Sequence, residues 1–447
     1  MRYQNYLLFL LTIICAFNYT DRFALGIAAQ DIKADLALSD TQLGFLSGIA
    51  FAVFYALAGI PMARWADRGN RARIIAVSTA LWSGAVAICG AAQTFAQLVL
   101  IRVVVGVGEA GCMPPSHSLI ADFFSRAQRP RAVSVYMQGV AGGLILGYFV
   151  AGWLNQYFGW RMMFVLIGVP GLVLALISRL TLKEPRTERR GRIETISSAH
   201  NQTMKEVCVD LWSRATFRHV LIAFSWICFF GSGTQQWAPA YFVRRFGFQT
   251  GALGTWFAVI FGVTGVLGTY WAGEWAARTA RENERRQLNG MALVTGLSGL
   301  FAIFAYIPSM SPNYYWAFGW LALSNGTSMM VNGPTFAVLQ TLVPPHMRAM
   351  SVALVMFCVN LVGLGFGPWV AGALSDVLRP WAGNDSLRYG ILLLCPAALW
   401  GAFHLWRAGQ AVALDFRAGD AGRDMRRVSC RARAGARPEA YSELSDQ

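Results

Sequence analysis

The chain is a succession of apolar runs, each roughly twenty residues or longer, separated by short polar joints. A run of that length crosses ~30 Å of hydrocarbon as a helix. A lone segment in lipid must be helical, because lipid offers no partner to backbone N–H and C=O groups. The pattern predicts spans at Asn5–Ala29, Thr41–Ala63, Ile74–Ala92, Gln97–Leu119, Ala132–Trp153, Met162–Leu182, Val220–Val243, Thr250–Ala276, Leu288–Pro308, Tyr314–Phe336, Ala349–Gly372 and Leu387–Trp406. The fold class is therefore an all-α membrane protein with twelve transmembrane helices. Composition agrees: 55% of the 447 residues are apolar and 14% charged, where a soluble chain carries ~25% charged. The first run is too long for a signal peptide, carries Asp21 and Arg22, and lacks a small-residue cleavage site, so it is expected to stay attached.

The net charge of +15 is not that of a nucleic-acid binder, because the cations alternate with membrane spans rather than forming one soluble face. Arginines gather on one side: Arg64 to Arg73, Arg126 to Arg131, Lys183 to Arg218, Arg278 to Arg286, Arg348 and the tail beyond Arg417. The other side holds Lys33, Arg161, Arg244, Arg245, Arg379 and Arg388. By the positive-inside rule both termini and the central loop are cytoplasmic in a cell inner membrane. The expected organisation is a six-helix bundle over 1–182, a cytoplasmic loop over 183–219, a second bundle over 220–407 and a disordered basic tail over 408–447. A weak repeat, Ala63-Arg64-Trp65-Ala66-Asp67-Arg68 against Gly273-Glu274-Trp275-Ala276-Ala277-Arg278, ends the second span of each half, as parallel repeats do in transporters.

Several chemistries are excluded. The eight cysteines form no CxxC and the histidines no HxxxH pair, so neither a metal site nor a disulfide frame is expected. Gly106-Val107-Gly108-Glu109-Ala110-Gly111 has the dinucleotide spacing but lies in a membrane span rather than after a strand. None of the three lysines (Lys33, Lys183, Lys205) follows a glycine, which removes a P-loop. No cofactor is implied, and no paired nucleophile and base suggests an enzyme.

The informative residues are the charges inside the spans. A charge at the bilayer centre costs about 2.5–3.5 kcal/mol on insertion scales and is a functional hypothesis by default. The first half has Asp21 and Arg22 in helix 1, and Arg102 and Glu109 in helix 4. The acids of the second half, Glu274, Glu282, Glu284, Asp376 and Asp385, are placed at helix ends or in loops, Asp376 beyond the end of helix 11. At ~1.5 Å per residue, Asp21 and Arg102 lie at similar depth and can pair, with Glu109 seven residues deeper on nearly the same face. Such a cluster is either a fixed ion-pair clamp or a proton-exchanging site, since a deep carboxylate exchanges protons near neutral pH. Asp21 and Glu109 are the candidate proton carriers, with Arg22 and Arg102 as charge partners or substrate ligands.

Asp67, Arg68, Arg71 and Arg73, between helices 2 and 3, can form a cytoplasmic latch whose ion pairs break on opening; Asp67 exceeds what positive-inside charge requires. Gln235 and Gln236 in helix 7, Asn325 and Asn332 in helix 10 and Asn360 in helix 11 are candidate substrate hydrogen-bond partners, or equally packing polarity. Gly139, Gly143 and Gly147, like Gly363 and Gly367, have the spacing of close helix contact.

At Asn18-Tyr19-Thr20-Asp21-Arg22, Asp67-Arg68 with Asn70-Arg71, Arg102 with Gly106 to Ala110, Gly159-Trp160-Arg161, and Gly365-Phe366-Gly367-Pro368 with Leu374-Ser375-Asp376, the sequence resembles the Spinster-like branch of the major facilitator superfamily. The resemblance spans Asn5 to Trp406. It implies two pseudo-symmetric six-helix bundles, a central cavity and proton-linked or facilitated transport of a small organic or amphiphilic solute, with Asp21, Arg102 and Glu109 as the functional charges. Animal relatives of that branch move lysophospholipids and sphingoid phosphates. Organic-anion symporters share several of these strings, so a sugar-acid or aromatic-acid symporter is the alternative, and a non-transporting receptor of the same fold is another. The expected partners are a solute, protons and lipid, and the expected state is a monomer. Ala63 stands where the latch motif usually has glycine, and Ala277 replaces the acid of its second copy.

The orientation is directly testable. A reporter active only in the cytoplasm should be active when fused after Thr195 or Gln447 and silent near Asn313. Activity at Asn313 would overturn the span assignment.

Overall fold

The computed structural model describes residues 3–125, 127–185, 204–279, 284–343, 348–413 and 415. Nine helices among them are long and apolar enough to cross a membrane. They include α1 (Tyr3–Ile27), α2 (Asp40–Ala66), α3 (Arg71–Cys89) and α4 (Phe95–Phe123). The continuous helix Arg131–Thr181 contains Gly159 at φ 76°, and it doubles back there. Its first arm, α5 (131–158), runs alongside α1 in the same direction, Gly139 against Thr12 and Gly147 against Thr20. Its second arm, α6 (160–181), returns along α3, Gly168 against Ala87 and Ser83. By Thr181 it is again level with Tyr3, whose hydroxyl donates to the Thr181 carbonyl at 3.3 Å. A side chain at φ 76° is strained, and glycine supplies the turn.

The second half repeats the plan. It contains α7 (Ala215–Phe246), α8 (Thr250–Trp275) and α9 (Glu284–Tyr306). Next is α10, made of Tyr314–Met329 and Asn332–Leu342, two pieces each too short to count alone. Then α11 (348–382) runs with α7, Gly363 against Cys228 and Gly372 against Trp237. The chain turns at Gly383, φ 54°. The returning arm, α12 (386–413), ends level with the start of α7, where the Thr216 N–H donates to Asp415 at 2.7 Å. Two arms from each hairpin and the broken α10 bring the nine helices to twelve crossings.

Leu100, Leu176, Val263 and Leu293 are all more than half exposed. Apolar side chains left outside all around the bundle are what a lipid-facing surface requires.

Three elements depart from expectation. Helix α7 begins at Ala215, and a short helix, Met204–Ser213, occupies part of the stretch assigned to the central loop. Helix α11 continues ten residues past Gly372, so Asp376 lies within it; its carboxylate has partners there, as described below. The segment Val359–Phe366 of α11 is a π-helix, a form frequent at functional sites. Residues 408–413, assigned to the disordered tail, instead continue the last helix; residues 186–203 of the expected loop, and the rest of the expected tail except Asp415, lie outside the described residues.

Close packing of α1 and α5 generates a prediction. A methyl at Gly143 would stand 2.4 Å from the Ala16 carbonyl oxygen, whereas one at Gly142 meets only Ala16 Cβ at 3.8 Å. Gly143→Ala should destabilise by about 1–3 kcal/mol, and Gly142→Ala should be neutral or stabilising. Thermal unfolding of the two variants in detergent checks the contrast.

Candidate functional site

The four intramembrane charges meet between α1 and α4. Asp21 is 0% exposed, Glu109 1% and Arg102 2%. Arg102 Nη1 donates to Asp21 Oδ2 at 2.8 Å. Arg22 Nε donates to Glu109 Oε2 at 3.0 Å, with a second contact from its Nη2. Helix geometry explains the crossing. Neighbours on α1 point ~100° apart, so Asp21 and Arg22 reach different partners, while Arg102 and Glu109 sit two turns apart on one face of α4. Side chains of a helix lean toward its N-terminus, which carries the long Arg22 deeper, toward Glu109. Arg22 also lies over the rings of Tyr19, Phe51 and Tyr55 at 4.5, 4.6 and 5.2 Å, a cation–π cage for its charge.

Both guanidiniums border a cavity of about 110 Å³ between the bundles. The first bundle lines it with Tyr19, Arg22, Phe23, Ser47, Phe51 and Arg102, the second with Ser232, Gln235, Gln236, Leu364 and Pro368. The sequence candidates therefore divide. Asp21, Arg22, Arg102, Glu109, Gln235 and Gln236 come together at the cavity or directly behind it. Asn325 does not: its amide donates to Thr264 Oγ1 at 2.9 Å and ties α10 to α8. Among the described residues Asn332 donates to Met329 Sδ at 3.5 Å, and the break in α10 separates it from the face of Asn325. Asn360 lies in the π-helical segment, away from the cavity lining.

Of the expected latch, Arg71 is fully buried and paired with Asp122 at 2.7 Å and with Glu184. It also donates to Ser118 Oγ at 2.9 Å. Ser118 and Asp122 lie in the last turns of α4 and Glu184 just beyond α6, so the network ties one bundle to itself. Arg73 is exposed. The side chains of Asp67 and Arg68 lie outside the described residues.

A second charge cluster, not foreseen as a site, closes the opposite end of the molecule. Asp40, 1% exposed, accepts from Arg244 Nη1 and Nη2 at 2.8 and 2.5 Å, from Lys33 and from the Ser375 hydroxyl at 2.7 Å. Asp376 of α11 accepts from the backbone N–H groups of Asp40 and Thr41 at 3.1 and 2.7 Å. One bundle thus caps the first turn of a helix in the other, satisfying donors that a helix start leaves unpaired. The next donor, the Gln42 N–H, goes to Ser39 Oγ at 3.1 Å in a capping box. Alongside, the Gly251 N–H donates to Gln156 Oε1 at 2.9 Å and Trp153 to Thr255 at 3.1 Å. The sequence signal for this seal was the Ser39-Asp40-Thr41-Gln42 capping pattern. The groups of the other bundle that meet Asp40, namely Arg244, Ser375 and Asp376, lie 204, 335 and 336 residues further on.

Two helix bundles around a cavity lined by two arginines and two glutamines, sealed at one end by an inter-bundle ion pair and hydrogen bonds, define a polytopic membrane transporter. The pattern of the Major Facilitator Superfamily matches residues 11–368, and the chain belongs to that family. It is 31% identical over 401 residues to an MFS-type efflux pump of Mycolicibacterium smegmatis, covering 89% of this chain and 91% of that protein. It is 27% identical to the hexuronate transporter of Bacillus subtilis, covering 86% and 90%. Among solved structures it resembles a bacterial homologue of the human lysosomal transporter Spinster, in an inward-facing, unoccupied conformation. The TM-score is 0.81 at 27% identity, over 93% of this chain and 98% of the other. The Spinster-like resemblance read from the sequence is thus matched in structure, and the protein is a transporter rather than an enzyme.

The seal is testable. Asp40→Asn removes the charge that holds Arg244 and Lys33, and coupling energies of 1–3 kcal/mol correspond to ~5–150-fold shifts. Labelling of Ser47→Cys by an impermeant thiol reagent from the sealed end should rise about fivefold or more. Unchanged labelling would remove Asp40 from the seal.

Proposed function

We propose that this protein is a proton-coupled secondary transporter of a small organic anion, working by alternating access in a cell inner membrane. The observation that carries this reading is the placement of charge around the cavity. Two guanidiniums, Arg22 and Arg102, border it, while the acids that pair with them, Glu109 and Asp21, are buried behind. A solute entering the cavity meets cations on one bundle and the uncharged amides Gln235 and Gln236 on the other. An anion there competes with a carboxylate for its guanidinium, and protonating that carboxylate releases the guanidinium. Proton and anion binding therefore favour each other, which is a coupling free energy.

The positive-inside rule supports cytoplasmic termini, so the sealed end faces outward and the state described opens inward. The bundle α1–α6 and the bundle α7–α12 rock about the cavity while Arg71, Asp122 and Glu184 keep the first one rigid. A monomer suffices for this cycle. Hexuronate is the first solute to test, from the relative that carries it in its name. An amphiphilic anion is the second reading. It is favoured by an apolar groove of about 530 Å³ at the seam of the bundles, where Ile145 and Phe149 face Val259 and Val263.

The test is accumulation of labelled hexuronate and of a lysophospholipid in reconstituted vesicles under an imposed pH gradient. With one proton per anion, one pH unit supports at most about tenfold accumulation, since ~1.4 kcal/mol is a factor of ten. Asp21→Asn combined with Glu109→Gln should abolish gradient-driven accumulation. A double variant that still concentrates solute in response to the gradient would reduce these charges to a structural clamp.

A further inference from the structure

The two bundles join their first and last helices differently at the unsealed end. In the first, the start of α1 meets the end of α6 through neutral hydroxyls. Tyr6 Oη lies 2.7 Å from Thr181 Oγ1, and Tyr3 Oη donates to the Thr181 carbonyl at 3.3 Å. The corresponding seam of the second bundle, α7 against α12, is built from two imidazoles. His219 Nδ1 and His404 Nδ1 are 2.8 Å apart, with ring centroids 5.1 Å apart. A polar link between two helix ends needs no histidine, as the first bundle demonstrates. Imidazoles add a charge that can be gained near neutral pH.

The surroundings are those of an anion site at a membrane surface. Arg218 adjoins His219 on α7, and Arg407 stands three residues, about one turn, beyond His404 on α12. Arg407 is exposed, and Arg218 is partly exposed, its Nη1 donating to the Trp212 carbonyl at 3.1 Å. Arg214 is taken up elsewhere, by Asp210 at 3.2 Å and the Leu342 carbonyl at 2.8 Å. On the neighbouring α9, Arg285 donates to Gln410 at 2.7 Å. Among the described residues the acid beside the pair is Asp415, which accepts from the Thr216 N–H at 2.7 Å, a turn before His219. Arg218 and Arg407 against this one carboxylate leave a positive excess even with both rings neutral. Trp400 and Phe403 stand edge-on to His404 at 5.1 and 5.5 Å. Both are exposed, as are Trp406 and Trp212, and tryptophans gather at the level of lipid headgroups.

We propose that His219 and His404, with Arg218 and Arg407, bind the phosphate of an anionic phospholipid at the seam of α7 and α12. Basic pockets between membrane helices on the cytoplasmic side take such headgroups, and the unsealed end is the cytoplasmic one in the orientation proposed above. The imidazole contact suits this role. With both rings neutral, one Nδ1–H donates to the other Nδ1, and a single Nε2–H remains to donate. One added proton goes to the bare Nε2 and leaves the contact intact. Both Nε2–H groups then donate, and the pair carries one positive charge beside the arginines. A second proton would have to take the accepting Nδ1 and break the contact. Lipid binding and the first protonation therefore favour each other. The site lies apart from the cavity: Ser232, a cavity residue on α7, is ~20 Å further along that helix from His219. It does not depend on which solute is carried.

The test needs no solute. The purified full-length protein in detergent is titrated with phosphatidylglycerol, with phosphatidylcholine and with inorganic phosphate. Bound lipid per chain is counted by native mass spectrometry, and affinity is read from the shift in unfolding temperature. One phosphatidylglycerol per chain should bind about tenfold or more tightly than phosphatidylcholine, as hydrogen bonds to a charged group allow. Its affinity should fall several-fold between about pH 5.5 and about pH 8, where imidazoles lose their proton and the lipid phosphate keeps its charge. His219→Asn combined with His404→Asn should weaken binding about tenfold and remove the pH dependence. Arg407→Gln, on an exposed side chain, should weaken binding and keep the pH dependence, which decides the matter if the histidine variant does not fold. Arg131→Gln, exposed on the first bundle at the same end, should change nothing. Equal loss in Arg131→Gln, or none in Arg407→Gln, would mean diffuse attraction and overturn the site. Equal binding of phosphatidylcholine overturns it as well. Displacement of the lipid by millimolar inorganic phosphate would overturn the lipid in favour of a soluble anion.

Discussion

Hydrocarbon offers no partner to a polar group, and every other feature of this molecule follows from where its polar groups find partners instead. The backbone satisfies itself by winding into helices. The four charges of α1 and α4 pair with one another, Asp21 with Arg102 and Arg22 with Glu109. Removing one member of a buried pair typically costs about 3–5 kcal/mol, because a bare charge is left behind. Changes that keep the charges matched, such as the gain of a proton together with an anion, avoid that cost.

The two charge clusters differ in which helices they join. Asp21–Arg102 and Arg22–Glu109 lie within the first bundle, so they survive any movement of one bundle against the other. Asp40–Arg244 and the Asp376 cap on Asp40 and Thr41 lie between bundles, and that movement must break them. The first bundle therefore brings a fixed, charged wall to the cavity, and the second a neutral one. At the other end Arg71, Asp122 and Glu184 again bind the first bundle to itself. Rigid bundles joined by a breakable seal are the ingredients of rocking about a fixed site.

Much of this was legible in the sequence for simple reasons. Span number and type follow from run length. The level of Asp21 and Arg102 follows from counting residues at a fixed rise, and the structure pairs them. Other features resisted. Arg22 and Glu109 differ in depth along their helices, and only the lean of a long side chain toward its helix N-terminus brings them together. Asn325 and Asn332 share a helical face on paper, but the break between Met329 and Asn332 separates them. Asp376 was placed beyond its helix because the apolar run stops at Gly372, whereas the helix continues to meet the N-terminus of α2.

The sequence by itself determined the helices, their amphiphilic exceptions and the identity of the buried charges, because hydropathy and helical rise are local properties. Tertiary structure alone decided which charges pair, which amides reach the cavity, and that Asp40 belongs to a seal. Those outcomes depend on how helices far apart in the chain lie against one another. Asp40 and Arg244 are separated by 204 residues. No local pattern encodes such a contact, and the packing of two bundles does.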